Sequence, residues 1–115
     1  MKNIIEIDGI KYQAINTNED GLMDYVIVRT YSAGVFAGYL CEKTGKEVTL
    51  NNARRLWYWE GASSLSQLAM EGVKKPDKCK FPCTVDRVTL TEAIEIIPCT
   101  EEARKIIEEV PVWKQ

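Results

Sequence analysis

Tyr25-Val26-Ile27-Val28-Arg29-Thr30-Tyr31-Ser32-Ala33-Gly34-Val35 is the stretch that decides the fold. Extended from Asp24 onward, it places Tyr25, Ile27, Arg29 and Tyr31 on one face and Val26, Val28 and Thr30 on the other. Both faces carry bulk, which predicts a central strand packed on each side. Ser32-Ala33-Gly34 turns the chain, since Gly34 is free to take a positive φ. Val35 to Glu42 returns as the partner strand. Gly38 within it leaves a gap where another backbone or a ligand can come close. Lys43-Thr44-Gly45-Lys46 forms a second turn, and Glu47-Val48-Thr49-Leu50 is extended again.

Upstream, Ile4 to Asp8 alternates weakly, Asp8-Gly9 signals a hairpin turn, and Ile10 to Ile15 alternates apolar with polar. Asn16 to Gly21 reads as a loop. Downstream, Ala53 to Trp59 is open to two readings. An extended backbone sets Arg55, Trp57 and Trp59 against Arg54, Leu56 and Tyr58, whereas a helix pairs Arg54 with Tyr58. The short aromatic run favours the strand. Ser63 or Ser64 caps a helix through Leu65, Leu68 and Ala69 that stops at Gly72. Lys74 to Thr84 holds two prolines and two cysteines and reads as an irregular loop. Val85 to Leu90 is a short strand, and Thr91 to Cys99 is a second strand after an initial turn. Thr100 caps a last helix, Glu101 to Glu109, with Ile106 and Ile107 facing inward and Pro111 beyond its end. The following Trp113 needs a docking place, on this chain or a sister subunit. The expected architecture is therefore α+β, a mainly antiparallel sheet core with two short flanking helices, in one domain spanning residues 1–115.

Composition bounds the function. The 115 residues are 45% hydrophobic with a net charge of -2, which describes a folded globule. A mildly acidic chain, with pI near 5.2, lacks the basic surplus of a duplex-DNA binder. Met1-Lys2-Asn3 meets charges too early for a secretory leader, and no apolar run reaches bilayer length, so a cytoplasmic location is expected. Cys41, Cys79, Cys83 and Cys99 make a metal site only if Cys41 and Cys99 converge on the 79–83 loop. Free thiols are the plainer reading. No metal or cofactor is implied.

No catalytic constellation is visible. The chain has no histidine, and it lacks phosphate-loop, dinucleotide-binding and nucleophile-elbow motifs. Glu92 and Glu95 read as solvated positions beside buried isoleucines. What remains is non-catalytic binding. Arg29 beside the Ser32-Ala33-Gly34 turn suits a phosphate clamp, with the Ser32 hydroxyl and the Ala33 and Gly34 N–H groups as further donors. The same arginine equally suits an edge ion pair with a glutamate. Arg54 and Arg55 point to opposite sides if extended, so that one reaches a ligand while the other packs over aromatics. Trp57, Tyr58 and Trp59 serve either as core and interface or as a stacking platform.

Val28 to Val35, Ala53 to Ala62 (Ala-Arg-Arg-Leu-Trp-Tyr-Trp-Glu-Gly-Ala) and Leu90 to Ile97 together resemble a family of small phage and prophage proteins, close to the first Thoeris anti-defence family. Members of that family are sponges: they hold cyclic ADP-ribose-type signals made by bacterial TIR proteins, and some hold cyclic oligonucleotides, without cleaving them. The resemblance spans about residues 24 to 100. It implies a β-rich core, a homodimer or larger ring, pockets near subunit interfaces and residence in the bacterial cytoplasm. It carries ligand-binding roles onto Arg29, Ser32, Ala33 and Gly34 in the turn, Asn52 and Arg54 before the aromatic run, and Thr91 in the third motif. The 79–83 loop has no counterpart in that pattern. A single-stranded nucleic-acid-binding module and a protein-interaction module are the alternative readings.

Overall fold

The computed structural model describes residues 4–7, 10–13 and 24–114, the first two stretches by backbone alone. Ile4–Ile7 (β1) and Ile10–Gln13 (β2) pair antiparallel, Ile4 opposite Gln13 and Ile7 opposite Ile10. The Asp8-Gly9 turn and the expected loop from Asn16 to Gly21 lie outside the described residues.

The main sheet contains Tyr25–Thr30 (β3), Val35–Thr44 (β4), Glu47–Arg55 (β5), Val85–Leu90 (β6) and Ala93–Pro98 (β7). Their order is β6-β5-β4-β3-β7, and every neighbouring pair is antiparallel. With Leu65–Glu71 (α1) and Glu101–Glu109 (α2) this is an α+β fold on a mainly antiparallel sheet. The strand read from Tyr25 is central, as its two bulky faces require. Ala53 to Trp59 is extended rather than helical: β5 ends at Arg55, and Tyr58 makes an isolated bridge to Lys80.

β6 and β7 stand at opposite ends of the strand order, yet only Thr91 and Glu92 separate them in sequence. The sheet must therefore curl until its edges approach. The Ala93 N–H donates to Lys46 O in the β4–β5 turn (3.0 Å), which closes that corner. The curl encloses Val26, Val28, Phe36, Leu40, Val48, Leu50 and Leu90. On the outer face, Tyr25, Ile27 and Ala37 pack with Leu68 and Ala69 of α1, Ile107 of α2, and Leu56 and Phe81 from the loops. β3 thus feeds two cores, one from each face.

The curl needs a break in β5, where Ala37 pairs with Arg54 but Tyr39 pairs with Asn51. Gly38 consequently faces both Asn52 and Ala53, and Asn52 takes φ 49° to make the bulge. A Cβ on Gly38 would lie 3.1 Å from Ala53 Cα and from Asn51 O. The close approach expected at Gly38 is made by the protein's own backbone.

Both helices begin at the expected caps. Ser64 Oγ accepts from Gln67 N (3.2 Å), and Thr100 Oγ1 accepts from Ala103 N (3.1 Å). Thr100 Oγ1 also donates to Met70 O (2.7 Å), so the start of α2 is tied to the end of α1. After α2 the chain docks on itself. The Trp113 N–H donates to Phe81 O (3.0 Å), and the Trp113 ring packs on Trp57.

Candidate binding surface

Curling brings the β3–β4 turn onto the β6–β7 turn. Arg29, Ser32, Ala33, Gly34 and Thr91 share this end of the sheet, because the Tyr31 N–H donates to Glu92 O (2.9 Å) beside Thr91. The turn is closed by its own groups. Thr30 Oγ1 accepts from the Ala33 N–H (2.8 Å) and donates to Gly34 O (2.7 Å), and Gly34 sits at φ 95°. The Ala33 donor expected to cradle an anion is thereby occupied. Ser32 Oγ donates to Glu92 Oε1 (3.3 Å).

Arg29 lies directly across from Glu95 in the β3–β7 register, and its Nε donates to Glu95 Oε1 at 2.9 Å. Side chains of the two residues are 49% and 42% exposed, so the pair is a solvated surface contact that contributes little stability. The edge ion pair, one of the two roles open to Arg29, is the one formed. Glu92 and Glu95 are not bystanders, since they neutralise the donors of the turn. A cleft of about 260 Å³ is lined by Lys43, Gly45 and Ala93 to Ile96, and none of the turn's donors lines it.

Asn52 and Arg54 do not join this group. Asn52 is the bulge residue, exposed farther along β5. Arg54 is 3% exposed and faces the interior. Its Nε donates to Pro82 O (2.9 Å), Nη1 to Ile107 O (3.0 Å) and Nη2 to Phe81 O (3.1 Å). One of those carbonyls belongs to the last turn of α2, where the helix dipole favours a cation. Burial pulls the guanidinium below its ordinary pKa. Arg54 is therefore an internal clip joining β5, the 79–83 loop and α2, and it does not reach a surface ligand. Its neighbour Arg55 points outward: it donates to Ala33 O (3.1 Å) and lies over the Phe36 ring at 4.5 Å.

Continuing outward from Arg55, the extended chain exposes Trp57 and Tyr58, at 58% and 44%. Trp59 packs against the outer core instead. The Trp57 and Trp113 rings lie 4.9 Å apart, tilted by 44°. Lys80 Nζ stands among three rings, 5.5 Å from Trp57, 5.6 Å from Tyr58 and 5.7 Å from Trp113. The Tyr58 hydroxyl donates to Glu60 Oε2 (2.8 Å), and that carboxylate holds the phenol above its ordinary pKa. The segment bearing Lys80 runs back along this strip: Lys80 N donates to Tyr58 O (2.7 Å) and Lys74 N to Gly61 O (3.2 Å). Lys74, Lys75 and Lys78 are exposed on it. Sequence reading left Trp57, Tyr58 and Trp59 open between core and stacking platform, and only the first two are exposed. It missed Lys80 and Trp113, which come from 22 and 55 residues farther on, and only the unplaced tail aromatic hinted at them.

Among the described residues no group of three or more Cys, Asp or Glu side chains could hold a metal ion, and the four cysteines are free thiols. No helix of the described residues is long and apolar enough to cross a membrane.

Fold and surface define a small curled-sheet protein with an aromatic, lysine-bearing strip beside a charge-balanced turn. Residues 23–107 match the model of a family described as a domain of unknown function (DUF6948), and the chain belongs to that family. No curated protein and no solved structure matches it.

Proposed function

We propose that this protein is a non-catalytic binding module that holds a nucleotide-type ligand on the Trp57, Tyr58 and Trp113 surface. One observation carries the reading: a lysine ammonium stands among three aromatic rings, two of which are about half exposed. A nucleotide is the chemical complement of that arrangement. Its base stacks on an indole face, and its phosphate pairs with an ammonium. Stacking contributes about 1–3 kcal/mol per base, and a charged hydrogen bond about 1.5–3 kcal/mol. Arg55, at the near end of the strip, extends the basic edge toward the turn.

The biological role follows from the resemblance. On that reading the ligand is a cyclic ADP-ribose-type or cyclic oligonucleotide immune signal, bound and returned unaltered, with the chain acting as a homodimer or larger ring. A second reading, a single-stranded nucleic-acid binder, is favoured by Lys74, Lys75, Lys78 and Lys80 following one another along the same strip. Calorimetric titration with cyclic ADP-ribose isomers, cyclic dinucleotides and a short oligothymidylate separates the two. Saturation by a small cyclic nucleotide, recovered intact after mild heating, supports sequestration. Heat only from the oligonucleotide supports the second reading. No heat from any of them refutes both.

A further inference from the structure

Lys80 holds its Nζ 5.5 to 5.7 Å from three ring centroids, near enough to compete with a ring that stacks there. Its backbone is pinned by the Tyr58 bridge, so only the side chain is free to leave. Among the described residues, Arg54 and Arg55 each lie over one phenyl ring, whereas Lys80 faces three rings. The negative ring faces attract the ammonium, and the ammonium in turn obstructs the rings. A neutral flat molecule that stacks on Trp57 must displace it and forfeit that attraction. A flat molecule bearing phosphate gives the displaced ammonium a new partner, so the lost ring contact is replaced by a charge-assisted hydrogen bond.

We infer that Lys80 is a specificity-determining residue, a built-in occupant of the ring surface that admits nucleotides and turns away nucleosides. This rests on the nucleotide reading of the surface and adds which ligands pass. The lysines at 74, 75 and 78 on the same segment keep phosphate favourable nearby, while Glu60, tied to Tyr58, and Asp77 are the carboxylates set against it.

The test is calorimetric titration of adenosine and of adenosine 5′-monophosphate into the wild-type chain and into Lys80→Met. The variant keeps a long unbranched stem and removes the charge. Lys80→Gln serves instead if thermal melting shows that Lys80→Met does not fold. Affinity for the monophosphate should fall about tenfold, while affinity for adenosine should rise about threefold because nothing has to be displaced. Lys80→Arg should restore the wild-type preference. If both affinities move in the same direction, or their ratio stays constant, the inference fails and the binding surface survives. If the wild-type chain binds neither compound, the reading of the surface fails first and takes the inference with it.

Discussion

Arg54 gives the most quantitative test of how this fold is held. Its guanidinium is buried, pairs with no carboxylate among the described residues, and satisfies three carbonyls at 2.9, 3.0 and 3.1 Å. Arg54→Met keeps an unbranched chain against the Phe81 ring but strands those three acceptors. Each charged hydrogen bond is worth about 1.5–3 kcal/mol, but the three share one cation and are not additive. Relief of the buried charge offsets part of the loss. The net cost should be about 3–4 kcal/mol. Lysine retains the charge but cannot span three carbonyls in a fixed fork, so Arg54→Lys should cost about 1–2 kcal/mol. Urea unfolding should give midpoints in the order wild type, lysine, methionine with a constant slope. The thermal midpoint of the methionine variant should fall by roughly 10–15 °C. A methionine variant within about 1 kcal/mol of wild type, by comparison with the penalties above, would refute the clip. So would a lysine variant as damaged as the methionine one.

Gly61 sits at φ 92°, and a Cβ there would lie 2.5 Å from Lys74 N and 2.7 Å from Lys75 N, so Gly61→Ala should cost about 2–3 kcal/mol by urea unfolding. Asn52→Gly should be neutral or stabilising by up to about 1 kcal/mol, since it relieves the positive φ, whereas Asn52→Val should destabilise by about 1–2 kcal/mol. Arg29→Ala breaks only a solvated pair and should change stability by less than about 1 kcal/mol, measured by the same melt. Burial pushes the Cys99 thiol up to about 12 from an ordinary value near 9.0. The folded form then keeps a proton that the unfolded chain releases, so this contribution is complete below pH 9 and declines as pH rises toward 12. Urea midpoints at pH 8 and pH 10 should show a smaller alkaline loss in Cys99→Ala than in wild type.

Elements carried by local signals were legible in the sequence. The alternation from Tyr25 to Thr30, the Ser64 and Thr100 caps and the Gly72 stop each depend on neighbours within a few residues. The alternation expected from Ala53 to Trp59 separates Arg54 and Leu56 from Arg55 and Trp57 but ends there, since Tyr58 is exposed and Trp59 packs on the outer core. The two roles open to Arg29 at the 29–34 turn could not be separated locally, because the outcome depends on β7, which curling carries to the turn from more than 60 residues away. Glu95 then meets Arg29 across the ladder, and Thr30 takes the Ala33 donor. Arg54 and Arg55 are indistinguishable by type, and only the position of the 79–83 loop and the end of α2 shows which is consumed indoors. The Lys80 and Trp113 contacts with Trp57 depend on loop paths that no periodicity encodes. Trp113 needs no sister subunit to dock, because its place is on this chain.

Side-chain indole resonances offer the sharpest view of where a ligand sits. The chain has three tryptophans, so a nitrogen-15 correlation spectrum should show three indole N–H peaks, assigned by replacing each tryptophan with phenylalanine. During titration with a cyclic ADP-ribose isomer or another adenine nucleotide, the Trp57 and Trp113 peaks should move, while that of Trp59 and the backbone peaks of residues 29–34 should stay nearly still. Movement confined to residues 29–34, with the Trp57 and Trp113 indoles unmoved, would contradict a ring-and-ammonium site and return the ligand to the turn.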